Sequence, residues 1–131
     1  FTPEEEELAH EVIGDALASE ANGYHLLVAE DSEHGLAGFI CYGPIPITVN
    51  RWDLYWIAVA PQYSRRGTGT ELLLAMEKKL GPGVRIFVDT SSTEGYRPAR
   101  AFYERNGYQV ACILPDFYQV GDDKVLYCKD L

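Results

Sequence analysis

Residues 52–80 read WDLYWIAVAPQYSRRGTGTELLLAMEKKL, and this stretch decides the fold. Trp52 to Ala60 is rich in aromatic and β-branched residues and predicts a strand, which Pro61 ends. Leu72, Leu73, Met76 and Leu80 recur at helical spacing, and Gly81-Pro82-Gly83 stops that helix. Between strand and helix stands Arg65-Arg66-Gly67-Thr68-Gly69-Thr70. Glycines let backbone approach a bulky anion, and a helix N-terminus presents unpaired N–H groups to it. With two arginines added, the segment reads as a pyrophosphate site. It is not a P-loop, because no G-x-x-x-x-G-K-[ST] occurs, nor a Rossmann fingerprint, because the third glycine is absent. The plainer alternative is a loop that needs glycine only for its turn. The strand before, the helix after and the paired arginines favour the anion site.

Working outward, Thr2-Pro3-Glu4-Glu5 starts a predicted amphipathic helix over Glu4–Glu20, and Ala21-Asn22-Gly23 ends it. Tyr24–Glu30 and Leu36–Tyr42 read as a hairpin around the turn at residues 31–35. Downstream, Val84–Asp89 is a strand and Thr90–Tyr96 a polar loop. Pro98 opens a short helix with Ala99, Phe102 and Tyr103 on one face and Gly107 just beyond its end. Tyr108–Leu114 and Lys124–Lys129 are the last strands, with residues 115–123 between them. The order predicts an α+β domain: one mixed, mostly antiparallel sheet with helices on both faces.

The chain has 131 residues, enough for one core and not two. With 20 acidic and 11 basic residues the net charge is −9, which argues against a general nucleic-acid binder. No apolar run reaches 18 residues, so no membrane span is expected, and the glutamate-rich start does not resemble a secretion signal. Cys41, Cys112 and Cys128 are far apart and form no C-x-x-C pair. They read as small buried or half-buried thiols in a reducing cytoplasm. His10, His25 and His34 have no ligand spacing, so no metal site is expected.

The run WDLYWIAVAPQYSRRGTGTELL resembles motif A of the GNAT superfamily of acetyl-CoA-dependent N-acetyltransferases, and ARAFYERNGYQ resembles their motif B helix. The resemblance covers about residues 24–131, a single domain spanning 1–131 in which the family's first strand and helix are expected to be absent. It implies acetyl-CoA as co-substrate and no metal. It implies that Ile57, Ala58 and Val59 lie on a splayed strand whose backbone pairs with the pantetheine arm. Arg65, Arg66, Gly67, Thr68, Gly69 and Thr70 then hold the pyrophosphate. Tyr103 matches the tyrosine that protonates the departing thiolate. Asp89 stands where several members carry a general base, and Asp53 near another such place. Ser64 departs from the family's frequent Gln or Arg, and the asparagine often found before the motif B helix is replaced around Tyr96.

Acetyl transfer to an amine needs a neutral nucleophile. Freeing a lysine-type amine of its proton at pH 7 costs about 4–5 kcal/mol, and a peptide α-amine about 1 kcal/mol. A carboxylate such as Asp89 is a natural proton acceptor, and backbone N–H groups suit the tetrahedral oxyanion. No cysteine nucleophile is needed. Each residue also has a plainer reading: Tyr103 as core packing, Asp89 as a strand-end cap, Asp53 as an exposed strand residue. The aromatics Trp52, Tyr55, Trp56, Phe117 and Tyr118 read as sheet packing or as walls of an acceptor pocket.

The expected function is therefore N-acetyl transfer to a primary amine, a small molecule or a peptide, by direct attack in a ternary complex. The alternatives are a non-catalytic acyl-CoA-binding module on the same fold, or a donor with a longer acyl chain. A homodimer is compatible with the resemblance.

Overall fold

A computed structural model describes residues 23–31, 35–64 and 66–131. The predicted helix over Glu4–Glu20, His10, His34 and Arg65 lie outside the described residues. The strands are β1 (His25–Asp31), β2 (Gly35–Pro44), β3 (Arg51–Val59), β4 (Arg85–Ser91), β5 (Gln109–Gln119) and β6 (Asp122–Asp130). The helices are α1 (Thr68–Leu80) and α2 (Arg97–Arg105), with 3₁₀ turns at Pro61–Tyr63 and Glu94–Tyr96. Six strands form one sheet in the order β1-β2-β3-β4-β6-β5. Among the described strands only β3 and β4 run parallel, because α1 carries the chain back across the sheet between them.

A β-bulge in β3 sets the core. Tyr42 of β2 faces Leu54, yet Cys41 faces Trp56, so Tyr55 is an extra residue without a partner. Before it, Trp52 and Leu54 face the helices. After it, Ile57 and Val59 do, while Trp56 and Ala58 turn to Phe39 and Leu26 on the other side. The main core joins Leu72, Leu73 and Met76 of α1 to Ile86 and Val88 of β4, and to Tyr103, Tyr108 and Tyr127. Both described helices thus pack against one face of the sheet.

Glu77 ties the far ends of the elements together. It accepts hydrogen bonds from the Tyr108 hydroxyl at 2.9 Å and from Lys129 Nζ at 2.9 Å, and Lys129 also donates to the Asn106 carbonyl. Gly81 (φ 79°) closes α1 with its N–H on the Glu77 carbonyl, and Gly107 (φ 88°) follows α2 as expected.

Three expectations change. The last two strands, expected over Tyr108–Leu114 and Lys124–Lys129, take in most of residues 115–123: β5 continues to Gln119, and β6 begins at Asp122. β5 lies at the sheet edge, where Pro115 removes no needed ladder bond. Asp116 (φ 54°) breaks the register there, and aspartate side chains replace ladder bonds: Asp116 N–H donates to Asp123 Oδ1, and Gly121 N–H to Asp116 Oδ1. β4 runs on to Ser91, so the polar loop is shorter and ends in a 3₁₀ turn. Cys112, expected to be buried or half-buried, is exposed on this edge strand, whereas Cys41 is buried.

The tyrosine core makes stability pH-dependent. Burial, then the charge of Asp89, lifts the Tyr103 phenol from 10 to about 12. Burial, followed by Glu77, lifts Tyr108 as well. Folding thus favours the neutral phenols over the phenolates. Their contribution is therefore complete below pH 10 and is lost as pH rises through the folded values. Tyr103 alone contributes about 3 kcal/mol on this account. Urea titrations at pH 9 and 11 are expected to show a loss of stability that shrinks in Tyr103→Phe. An equal loss in wild type and variant would contradict this assignment.

Candidate active site

Parallel pairing of β3 with β4 covers Arg51–Asp53 against Arg85–Phe87 and then ends. From there β3 follows β2, while β4 follows β6, and a fork opens between them. Ala60 N–H donates to the Ala37 carbonyl on the β2 side. By strand alternation the N–H and C=O of Ile57 and Val59 point the other way, into the fork. The Ala58 backbone points to β2.

A cavity of about 530 Å³ occupies the helix side of this fork. Ile57 and Val59 line it from β3, Ser64, Gly67, Gly69 and Thr70 from the α1 entrance, and Ala99, Phe102, Tyr103 and Arg105 from α2. The entrance is built by two different glycines. Gly67 caps α1 with φ 78°, a conformation that side chains disfavour. Gly69 has ordinary φ, but a Cβ there would stand 3.3 Å from the Phe102 ring. The first helical bond is Glu71 N–H to the Gly67 carbonyl, so the N–H groups of Thr68, Gly69 and Thr70 precede the ladder. They supply the donors and the positive dipole end that an anion requires.

Arg66 is held away from this cavity. Its guanidinium lies over the Tyr63 ring, 5.3 Å from the centroid, and the Tyr63 hydroxyl donates to Asp31 Oδ2 at 2.7 Å. That hydrogen bond, with burial, lifts the Tyr63 phenol above its ordinary value. Among the described residues, the cation on the cavity wall is Arg105. Tyr103 packs among the rings of Phe102, Tyr108 and Tyr127 and keeps its proton at neutral pH. Arg100 fixes α2 to the end of β4 by donating from Nη1 to the carbonyls of Ser91 (2.7 Å) and Thr93 (2.8 Å).

The carboxylates gather on the opposite face of the sheet. Asp53 lies between Trp52 and Leu54, and Asp89 follows Val88; all three neighbours face the helices, so both carboxylates face away. Lys124 Nζ pairs with Asp89 Oδ2 at 3.0 Å and sits 4.6 Å from the centroid of the Phe117 ring. Burial, then the charge of Asp89, raises the Asp53 carboxyl above its ordinary value, against an opposing effect of Lys124. The charge of Asp89 also raises the Tyr103 phenol, after burial.

Of the residues expected to bind cofactor, Ile57, Val59, Gly67, Gly69 and Thr70 line the cavity, and Thr68 is buried in the first turn of α1. Ala58 and Arg66 do not line it. Sequence reasoning missed Arg105 and Lys124. Arg105 was visible as the residue three positions beyond Phe102 on α2, whereas Lys124 is placed only by strand pairing. Among the described residues no three His, Cys, Asp or Glu are grouped to hold a metal, and no helix is long and apolar enough to cross a membrane.

The family model of the acetyltransferase (GNAT) domain matches residues 22–110. The chain belongs to the GNAT acetyltransferase family. A GNAT-family protein from Desulfovibrio desulfuricans is 40% identical, with a TM-score of 0.87 over 99% of this chain and 83% of that one. An aminoglycoside 6'-N-acetyltransferase complexed with coenzyme A is 21% identical (TM-score 0.70, 88% and 80% covered). Arabidopsis thaliana NAA60 with a bisubstrate analogue is 16% identical (TM-score 0.72, 92% and 81% covered). At these identities the last two show the GNAT fold alone. Comparison with curated proteins gave no match.

The two glycines of the GNAT loop give separable outcomes. Gly67→Ala is expected to cost about 1–2 kcal/mol of stability through its positive φ, with open space for the methyl group. Gly69→Val is expected to press on Phe102 and weaken coenzyme A binding more than stability. Calorimetry and urea titration on both variants check this, and the same loss of affinity in each would refute the division.

Proposed function

We propose that this chain transfers the acetyl group of acetyl-CoA to a primary amine, by direct attack within a ternary complex. One observation carries the reading: the β3–β4 fork opens onto a cavity walled by the α1 N-terminus and Tyr103, with carboxylates on its far side. The donor fits the helix side. The N–H groups of Thr68, Gly69 and Thr70, with Arg105 nearby, suit its pyrophosphate. The fork-facing backbone of Ile57 and Val59 suits an extended amide-bearing arm, as an added strand does.

The acceptor fits the other side. Asp89 is engaged with an ammonium group, that of Lys124. The Asp53 carboxylate has no hydrogen bond or ion pair among the described residues, and burial lifts its pKa. That is the direction a base working near neutral pH requires. On this reading Asp53 takes the proton from the acceptor amine, and Asp89 sets the charge that holds it. Backbone N–H groups facing the fork stabilise the oxyanion. Tyr103 protonates the departing sulfur. Its phenol lies high, but burial in the same cavity also raises a thiol, which narrows the gap.

Calorimetry with acetyl-CoA and a thiol-release assay across an amine panel test the reading; absence of cofactor binding would refute it. With a turned-over amine, Tyr103→Phe is expected to lower kcat about 100-fold while leaving acetyl-CoA affinity nearly unchanged. Asp53→Asn is expected to lower kcat by a similar factor and to remove the acidic limb of the pH profile. Asp89→Asn is expected to act mainly on the amine KM. A larger kcat loss in Asp89→Asn than in Asp53→Asn would exchange the two roles.

A further inference from the structure

The acceptor side already holds a primary ammonium group. Lys124 Nζ meets the Asp89 carboxylate at 3.0 Å and the face of Phe117 at 4.6 Å, with Tyr118 and Asp53 close enough to act on it electrostatically. A carboxylate beside an aromatic face is how proteins recognise an alkylammonium. Here the occupant comes from the chain itself. Lys124 stands opposite Ser91, two residues beyond Asp89 along β4, on the face that also carries Asp53.

We infer that Lys124 is itself an acetyl acceptor, modified in cis by the chain that carries it. The inference rests on the acetyl-transfer reading above. Asp53, which acts on Lys124 through its charge without touching it, takes a proton from the Lys124 ammonium by way of solvent, and the freed Nζ attacks the thioester carbonyl. The new N–C bond forms as the C–S bond breaks, and the electron pair leaves on sulfur, which takes the Tyr103 proton. Tyr103 recovers a proton from the attacking nitrogen through solvent. One ammonium and one thioester thus give one amide, one thiol and one released proton. Acetylation removes the Lys124 charge, so Asp89 loses its internal partner and is left free for an external amine.

The chain contains its own controls. Its other lysines are Lys78, Lys79 and Lys129. Lys78 and Lys79 are exposed on α1 and report uncatalysed acetylation, while Lys129 is held by Glu77. The test is a time course of purified protein with acetyl-CoA, digested and read by mass spectrometry at each lysine. Lys124 is expected to gain an acetyl group at least about tenfold faster than Lys78 or Lys79, as a held nucleophile should. Its first-order rate constant should not change on dilution of the protein, and Asp53→Asn should slow Lys124 alone. A Lys124 rate equal to that of Lys78 and Lys79, with acetyl-CoA bound by calorimetry, would overturn the inference and leave the acetyl-transfer reading standing. A rate constant that rises with protein concentration would also overturn it. Absence of acetyl-CoA binding would remove both.

Discussion

Parallel pairing between β3 and β4 lasts for Arg51–Asp53 and then fails. Beyond it, the backbone of Ile57 and Val59 faces a gap instead of a neighbouring strand. A buried N–H or C=O without a partner costs about 1–3 kcal/mol, so such an edge must be met by water or by an extended ligand. The rest of the molecule keeps this gap open. The α1 crossover sets β3 and β4 parallel, and β6 draws β4 away on the other side. The bulge at Tyr55 turns Ile57 and Val59 toward the helices, so the same residues give the fork its polar edge and its apolar wall. Arg100 then holds α2, and with it Tyr103, against the end of β4.

The fork also divides charge. On the helix side stand the N-terminus of α1 and Arg105, in a chain of net charge −9. On the far side stand Asp53 and Asp89, with one cation between them and the aromatic rings. A polyanionic donor and a cationic acceptor would thus meet at the fork from opposite faces, each drawn by the charge it approaches. Lys124 shows that the acidic side accommodates an ammonium group, because it holds one.

What was legible in the sequence was whatever depends on local spacing. Gly67 and Gly69 between a strand-like run and a helical stripe placed the entrance of α1, which lines the cavity, and Phe102 and Tyr103 before Gly107 placed the second helix. The bulge was hidden, because Trp52–Ala60 is almost continuously apolar and shows no alternation that an extra residue could interrupt. The predicted strand stopped at Leu114, before Pro115 and Asp116, yet an edge strand tolerates both. Arg66 carried the expected charge, but Tyr63, three residues before it, captured the guanidinium, and Arg105 from another helix took the place on the cavity wall. Lys124 and Asp89 are 35 positions apart, and only the β4–β6 register joins them. Local pattern therefore located the helix side of the fork well and the far side poorly, because the far side is assembled by strands distant in sequence.

Amide hydrogen exchange along β3, with and without acetyl-CoA, tests the central claim most directly. Strong protection of the Ile57 and Val59 N–H groups is expected on adding acetyl-CoA, with Trp52 and Asp53, already within the paired segment, unchanged. Acetyl-CoA that binds the chain while exchange at Ile57 and Val59 stays the same would contradict it.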